Sequence, residues 1–253
     1  MDFCFNGEVN PNYATDNCIL FNEDCRKVLD NIKDESIDLF CSDIPYKIGK
    51  KGGGQKKQGK KYAGGIFNCF ENTEENINNI KNGKIFKHND IDITEYIGEV
   101  YRILKEKSHC YLFSNWSNLN KIITETENVG FKLQNVIVWA KDNKVMNHYY
   151  MGQCEYILMF RKAGAKDIND MGTSNFLQIP NVKDKVHPTQ KPVELMKILI
   201  ENSSNVGDVV MDCFMGSGST GVACIESGRK FIGCEIDGKY FDISVDKIKE
   251  VVE

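Results

Sequence analysis

The sequence predicts a doubly wound α/β fold with a seven-stranded, mostly parallel sheet and an antiparallel hairpin at one edge. Two observations lead to this prediction. Short apolar segments alternate with helix-like segments through most of the chain, which is typical of a sheet covered by helices on both faces. The chain has 253 residues, of which 41% are hydrophobic, enough for one α/β domain but too few for two. We therefore treat residues 1–253 as a single domain.

The individual elements follow from the apolar pattern. Strands are predicted at 18–21, 37–42, 109–114, 132–140, 154–161, 209–212 and 230–235. Helices are predicted at 26–32, 91–104, 117–129, 192–203, 220–227 and 239–251. Pro192 suits the first turn of its helix, where a missing N–H costs nothing. Segments 132–140 and 154–161 follow each other without a helix between them, so we expect them to form the antiparallel hairpin.

Two stretches, 47–90 and 162–186, fit neither pattern, and loops of this length are typically functional or disordered. The first begins with seven lysines and no acid between positions 47 and 61, although the whole chain has a net charge of −4. Such a local basic patch is typical of a surface that binds phosphates. The candidate contacts are Lys47, Lys50, Lys51, Lys56, Lys57, Lys60 and Lys61. The alternative is a solvated insertion without a binding role.

Composition excludes several classes of protein. The ten cysteines include no CxxC pair, and most lie in apolar segments, which is typical of core thiols in a reducing compartment. The four histidines are not at ligand spacing, so no metal is predicted. The N-terminus has neither the basic start nor the apolar stretch of an export signal, and no segment is apolar enough to span a bilayer. We therefore expect a cytoplasmic protein.

A glycine-rich turn follows the predicted strand at 209–212. Gly216, Gly218 and Gly221 satisfy G-x-G-x-x-G, a spacing that lets a backbone and a helix N-terminus approach a ligand closely. Glu235 ends the next strand, where an acid can accept hydrogen bonds from both hydroxyls of a ribose. By itself the pattern fits a dinucleotide, S-adenosylmethionine or a tight turn without a ligand.

Two further features favour S-adenosylmethionine as the ligand. Only one strand and one helix follow the glycine turn, whereas a dinucleotide fold needs more sheet for its second half. Acids at Asp212 and Asp43 flank the predicted site. A sulfonium with an ammonium group favours such acids, while a pyrophosphate favours a neutral or positive loop.

Residues 43–46, Asp-Ile-Pro-Tyr, end another apolar strand. Ligands of open α/β sheets bind beyond the carboxyl ends of the strands. Asp43 and the carbonyl of Ile44 could accept the two hydrogens of an exocyclic base amine, which localises its lone pair toward an activated methyl group. Tyr46 could stack on an extruded base. The alternative is a strand-ending turn in which the acid is a cap and the tyrosine packs.

Taken in order, these motifs resemble the beta group of amino-DNA methyltransferases, in which the catalytic motif precedes the cofactor motif. Residues 43–46 are similar to that family's Asp-Pro-Pro-Tyr, and residues 212–220 to its Asp-Pro-Phe-x-Gly-Ser-Gly-Thr-Thr. Residues 187–192, His-Pro-Thr-Gln-Lys-Pro, match a further segment. Smaller matches occur at 23–25, at Trp139, at Glu155 and at Tyr240. The resemblance spans nearly the whole chain, except 47–90 and parts of 162–186.

The resemblance implies a Rossmann-like S-adenosylmethionine methyltransferase fold and a set of site residues. Asp43, Ile44, Pro45 and Tyr46 would serve the target base, and Asp43 would also border the methionine end of the cofactor. The other implied cofactor contacts are Asp24, Cys25, Thr189, Gln190, Lys191, Asp212, Phe214, Gly216, Gly218, Ser219, Thr220 and Glu235. His187 is expected to lead into a helix, Trp139 to lie in the core and Glu155 to be a hairpin residue.

The chain departs from the family pattern in two places. Ile44 replaces a proline, so a direct φ restraint is lost, although Pro45 still favours an extended Ile44. Only a short interval separates the hairpin from residue 187, so a separate recognition domain is not expected there. Segment 47–90 is the candidate that takes over DNA contact.

An acid at position 43 favours adenine over cytosine as the target, by family tendency. The implied substrate is double-stranded DNA, and the implied setting is a bacterial or phage-like restriction-modification system. A homodimer and a cognate restriction nuclease are therefore candidate partners. Three alternatives stay open: methylation of RNA or of a protein amide, a nicotinamide-dependent oxidoreductase, and a non-catalytic DNA-binding subunit, which Ile44 alone favours.

Overall fold

A computed structural model of the chain describes residues 4–7, 10–45, 91–145, 149–164 and 166–252. The predicted base-stacking residue Tyr46 and all seven lysines of the basic segment lie outside these residues. Every structural statement below concerns the described part.

The described strands form one sheet of nine, where the sequence predicted seven. In sheet order they run β1-β2-β9-β8-β3-β4-β6-β5-β7. Their bounds are β1 Tyr13–Ala14, β2 Cys18–Phe21, β3 Ile37–Ser42, β4 Leu104–Ser114, β5 Lys132–Val145, β6 Gly152–Arg161, β7 Phe176–Gln178, β8 Val209–Asp212 and β9 Lys230–Cys234. The two additional strands, β1 and β7, lie at the two edges. They are two and three residues long, too short to show an apolar alternation.

Five central strands, β2, β9, β8, β3 and β4, are parallel to one another. From β3 the chain moves to one side, to β4, whereas from β8 it moves to the other side, to β9. The sheet therefore has its topological switch point between β3 and β8, where the loops after the two strands diverge and leave a crevice. The predicted doubly wound α/β fold class is confirmed, whereas the predicted number of strands is not.

The predicted hairpin is the antiparallel pair β5 and β6, with β6 also antiparallel to β4. It does not form the outermost edge, because β7 adds in parallel to β5. Both hairpin strands are longer than predicted, and they extend beyond Ser114, the last residue of β4, on the same side as the crevice.

Helices cover both faces of the sheet. They are α1 Cys25–Leu29, α2 Ile97–Ile103, α3 Leu119–Asn128, α4 Val193–Ser203, α5 Ser219–Glu226 and α6 Gly238–Val252. The first three pack in one core layer and the last three in the other. Because β3 is buried on both faces, Phe40 faces the first layer while Leu39 and Cys41 face the second. Its sequence is accordingly apolar almost throughout.

The predicted helix 91–104 was wrong in its bounds. A 3-10 turn, Ile93–Glu95, comes first and is closed by a capping box between Asp92 and Glu95, and α2 follows. Leu104 already belongs to β4. Pro192 is the N-cap of α4 rather than a residue of its first turn, with an extended ψ of 135°. None of the described helices has the length and apolarity needed to cross a membrane.

Trp139 is a core residue, as predicted, with 1% of its surface exposed. Its indole Nε1 donates a 2.8 Å hydrogen bond to the carbonyl of Ile179. This bond joins β5 to the segment that leads toward the motif at residues 187–192. A buried carbonyl without a donor is costly, so the indole matters for its hydrogen bond as well as its volume.

We predict that Trp139→Phe lowers the free energy of unfolding by about 1–3 kcal/mol, because it removes a buried donor and leaves a gap. The matched control is the other tryptophan of the chain, Trp116, which is 69% exposed. Trp116→Phe should change the free energy by less than about 0.5 kcal/mol. Urea unfolding of both variants checks this, and equal effects would contradict the assigned role of the indole.

Candidate active site at the sheet switch point

The two sequence motifs meet at the switch point between β3 and β8. Ser42, the last residue of β3, donates a 2.5 Å hydrogen bond from its hydroxyl to Oδ1 of Asp212, the last residue of β8. Both side chains are buried. Residues separated by 170 positions in sequence are thereby fixed side by side, and the catalytic and cofactor motifs open into the same crevice.

Asp212 organises the glycine turn that follows it. Its Oδ1 also accepts from the Phe214 amide at 2.9 Å, and its Oδ2 accepts from the Thr220 hydroxyl at 2.6 Å. Burial raises the pKa of Asp212 to about 6, although the Ser42 and Thr220 hydrogen bonds oppose this shift. The predicted cofactor residues Asp212 and Thr220 thus bond to each other and shape the turn around the crevice.

Two glycines of the turn have no room for a side chain. Gly218 is the N-cap of α5 with φ of 82°, and a Cβ there would lie 3.0 Å from Cβ of Ser244. At Gly221 a Cβ would lie 2.6 Å from Cδ1 of Ile248. The first allows the left-handed backbone, and the second lets α5 pack closely on α6.

Glu235 follows β9 and supports the turn from the opposite side. Its Oε2 accepts from the Gly216 amide and its Oε1 from the Asp237 amide, each at 2.9 Å. Each carboxylate oxygen can accept a second hydrogen bond, so two acceptor positions remain for the hydroxyls of a ligand. Burial raises the pKa of Glu235 to about 7, while the two amides oppose the shift.

A cavity of about 360 Å³ occupies the crevice, within the range of about 300–1,000 Å³ that small-molecule sites show. Seven carboxylic acids line it: Glu23, Asp24, Asp43, Glu95, Asp212, Glu235 and Asp237. Only two cationic side chains, Arg26 and Lys191, line it with them among the described residues. This excess of acids suits a positively charged sulfonium and ammonium better than a pyrophosphate.

Most predicted cofactor residues line this cavity: Asp24, Cys25, Asp43, Thr189, Gln190, Lys191, Asp212, Phe214, Gly216, Ser219, Thr220 and Glu235. Asp24 is the N-cap of α1 and pairs with Arg26. The Gln190 side-chain oxygen accepts from the Val186 amide at 3.1 Å, which closes the turn before α4. Gly218 is not at the cavity wall, and its role is the backbone turn described above.

His187 lines the cavity too, although the sequence assigned it only to a helix lead-in. Its ring packs edge-on against Tyr240, with centroids 4.2 Å apart. Burial lowers the pKa of His187 to about 3, and neighbouring lysines contribute to the lowering, so the ring is neutral. Its Nδ1 accepts from the Thr189 amide at 3.3 Å. A neutral ring at this wall adds no positive charge to an acid-rich cavity.

Asp43 follows β3 and belongs to a group of partly buried charges around the buried ammonium of Lys191. Its Oδ2 pairs with the ammonium of Lys191, which also lies 3.4 Å from Oε2 of Glu155. Oε1 of Glu155 pairs in turn with Lys141. Glu155 is therefore more than the hairpin residue that the sequence suggested. The sequence signals for it were its match to the family pattern and the presence of a single acid within an apolar strand.

Ile44 is 2% exposed, and its side chain belongs to the core layer that contains α1, α2 and α3. A proline at this position restrains φ covalently, whereas this isoleucine is held by burial. Pro45 lines the cavity next to it. Packing of the side chain thus restrains position 44 where the ring of a proline would otherwise do so.

The fold and the site together define a methyltransferase of the Rossmann-like class. Solved structures with this fold include M1.HpyAVI in complex with SAM, with a TM-score of 0.65 and 22% identity over 91% of this chain and 99% of that one. PvuII DNA methyltransferase, described as cytosine-N4-specific, has a TM-score of 0.70 and 19% identity over 98% and 94% of the two chains.

Residues 37–246 match the DNA methylase family of N6 and N4 methyltransferases. The chain belongs to this family and is an S-adenosylmethionine-dependent DNA methyltransferase. Among curated relatives, the type II methyltransferase M2.LlaDCHI of Lactococcus lactis subsp. cremoris is 27% identical over 260 residues, covering 95% of this chain and 92% of the relative. M.HinfI of Haemophilus influenzae is 28% identical, covering 90% and 67%.

The residues present fit this cofactor. Glu235 retains acceptor positions for ribose hydroxyls, Gly216 brings no side chain to the cavity that it lines, and the acid-rich wall suits a cation. A buried oxygen, Oδ1 of Asp43, has no hydrogen-bond partner among the described residues, which leaves an acceptor for a bound molecule.

We predict that S-adenosylmethionine affinity rises with pH through about 7, because ionised Glu235 accepts stronger hydrogen bonds than its neutral form. Glu235→Gln should weaken binding by about 10- to 100-fold and remove the step near neutral pH. Calorimetric titration from acidic to alkaline pH measures both effects. Glu226→Gln, on the far end of α5, is the control. A wild-type affinity independent of pH would contradict the assignment.

Proposed function

We propose that this enzyme methylates the exocyclic amine of adenine in double-stranded DNA after the base is flipped out of the duplex. The observation that carries the proposal is the cavity at the switch point, which Asp43 and Pro45 line on one side and the glycine turn on the other. A base amine bound at Asp43 therefore lies beside the cofactor site. A base inside a duplex cannot reach such a crevice, so extrusion is required.

The residues of the catalytic turn would prepare the amine for attack. S-Adenosylmethionine, when bound, supplies the methyl group on an electrophilic sulfonium. Oδ1 of Asp43 accepts one amine hydrogen, and the carbonyl of Ile44 accepts the other. Both acceptors increase the lone-pair density of a nitrogen that is otherwise conjugated with the ring, and they stabilise the positive charge that develops on it. Tyr46, which lies outside the described residues, would stack on the base and offset part of the stacking lost from the duplex.

Asp43 favours adenine over cytosine. Cytosine is the alternative, because the structurally similar PvuII enzyme is cytosine-N4-specific. A catalytically weak DNA-binding subunit is a further alternative, and its only support was the loss of proline at position 44. The burial of Ile44 in the core weakens that support, since the turn keeps a fixed backbone. The type II naming of the relatives favours a cognate nuclease as partner.

We predict that the enzyme forms N6-methyladenine, and that Asp43→Asn lowers the rate of methyl transfer by about 10²- to 10³-fold, a larger effect than its effect on cofactor affinity. Radiolabelled S-adenosylmethionine and genomic DNA from a methylation-free host provide the assay, followed by nucleoside chromatography. Asp30→Asn, at the exposed end of α1, is the matched control. Label found in N4-methylcytosine would identify cytosine and not adenine as the target base. Label found in RNA alone would contradict the assignment of DNA as the substrate.

DNA contact is proposed for the basic segment 47–61, whose seven lysines follow directly on the catalytic turn. Each lysine that neutralises a phosphate releases a counterion and makes affinity more sensitive to salt. Pro45, the last described residue before this segment, lines the cavity. The segment is therefore continuous in sequence with a residue of the cavity wall, which supports a role in contact with the DNA strand whose base enters the cavity.

Replacing four lysines of this segment by alanine should weaken DNA binding by about tenfold or more, and should lower the salt slope by about 0.9 for each phosphate that is no longer neutralised. The four are Lys56, Lys57, Lys60 and Lys61. The control variant replaces four exposed lysines near the amino ends of the parallel strands, which is the end of the sheet away from the crevice: Lys33, Lys107, Lys132 and Lys166. Fluorescence anisotropy at several salt concentrations compares them, and equal slopes in the two variants would rule out the binding role.

A further inference from the structure

Four charged side chains beside the proposed catalytic turn, one buried and three partly buried, form a chain of alternating sign. Asp43 follows β3, Lys191 precedes α4, Glu155 lies on β6 and Lys141 lies on β5. Lys191 contacts both acids, and Lys141 contacts Glu155. The chain holds two negative and two positive groups, so it is neutral as a unit. The family resemblance gave Lys191 to the cofactor and left Glu155 and Lys141 without a function.

The ammonium of Lys191 is already engaged by protein groups. Its side chain is 6% exposed. It donates hydrogen bonds to Oδ2 of Asp43 and to the carbonyl of Thr189. It also lies 3.4 Å from Oε2 of Glu155 as an ion pair, although that oxygen accepts no hydrogen bond among the described residues. The ammonium lies over the ring of Phe113, 5.2 Å from its centroid. A cofactor carboxylate would have to compete with two protein carboxylates for Lys191.

Asp43 is left with one oxygen in use and one free. Its Oδ2 is held by Lys191, while its Oδ1 is buried and has no hydrogen-bond partner among the described residues. A carboxylate that is fixed by one oxygen cannot rotate freely, so the other oxygen has a defined direction. Such an arrangement suits an acceptor that must meet one particular hydrogen of a substrate amine.

We propose that Lys191, anchored by Glu155, is a positioning residue that keeps Asp43 ionised and holds its Oδ1 available for the base amine. This inference rests on the proposed function of Asp43. It assigns Glu155 and Lys141, from the hairpin, to the support of a group on the central sheet. The catalytic acid is thereby coupled to a strand pair that extends over the crevice.

Several charged groups face Asp43 and shift its pKa in opposite directions. Burial raises the pKa of Asp43, Lys191 opposes this, Glu155 raises it and Lys141 lowers it. Asp212, across the switch point, is a further acid whose negative charge interacts with that of Asp43. Burial would also raise the pKa of Glu155, yet Lys191 and Lys141 lower it to about 2, so Glu155 stays charged at neutral pH.

Removal of Lys191 and removal of the Glu155 charge should therefore shift Asp43 in opposite directions. Lys191→Met deletes the cation and should raise the pKa of Asp43 by about one unit or more. Glu155→Gln deletes a like charge, keeps an acceptor for Lys141 and leaves Lys191 on Asp43, so the pKa should fall. Lys191→Arg keeps the charge and should stay near the wild type. General damage to the fold would not produce shifts of opposite sign.

The test uses the full chain and two readouts. Carbon-13 NMR titration of aspartate-labelled protein, assigned with Asp43→Asn, reports the pKa of Asp43 without DNA or cofactor. Single-turnover methylation of DNA from a methylation-free host reports the acidic limb of the pH profile. Lys191→Met should move both upward and lower the rate at pH 7 by about tenfold or more, Glu155→Gln should move both downward, and cofactor affinity should change by less than about threefold in either.

Shifts of the same sign, or no shift in either variant, would overturn the proposal, as would a large loss of cofactor affinity in Lys191→Met. If Lys191→Met does not fold, the downward shift in Glu155→Gln and the wild-type value in Lys191→Arg test the same arrangement. A wild-type protein that titrates as expected but does not methylate DNA contradicts the proposed function instead, so the two failures are distinguishable.

Discussion

The hydrogen bond between Ser42 and Asp212 is the constraint on which the site depends. It joins the ends of two parallel strands at the point where the chain turns in opposite directions, and both groups are buried. Asp212 uses its remaining acceptor capacity on the amide of Phe214 and the hydroxyl of Thr220. One carboxylate therefore fixes the position of the proposed catalytic turn and the shape of the proposed cofactor turn at once. A buried acid with three donors is well satisfied, which offsets the cost of removing its charge from water.

The charges around the cavity have different tasks. Glu235 shapes the turn through two amides and keeps acceptor capacity for the ligand. Arg26 is engaged with Asp24 and Glu95 at the cavity wall, and Lys191 is engaged with Asp43 and Glu155. The two cations are thus both paired, while the cavity as a whole remains rich in acids. A positively charged methyl donor fits that balance, and a dinucleotide does not.

The hairpin contributes more than sheet area. Trp139 anchors β5 in the core, and from there the strand pair continues past the end of β4. Lys141 and Glu155 lie on this extension, and Glu155 contacts the lysine that holds Asp43. Ile44 is likewise held by tertiary contacts, because its packing in the core takes the place of the covalent restraint of a proline. In both places an interaction remote in sequence fixes the geometry of the catalytic turn.

The sequence by itself determined the fold class, both motifs and most of the cavity lining. Buried parallel strands such as β3 and β8 are apolar almost throughout, and glycine and acid positions in a turn have local causes that can be inferred directly from the chain. The edge strands β1 and β7 were missed because two or three residues show no periodicity. Only the tertiary structure revealed that Lys191 pairs with Asp43, 148 positions away, and that Glu155 forms a second ion pair with Lys191. A charge in a sequence has no defined partner until folding brings strands together, because ion pairs depend on distance and burial in space.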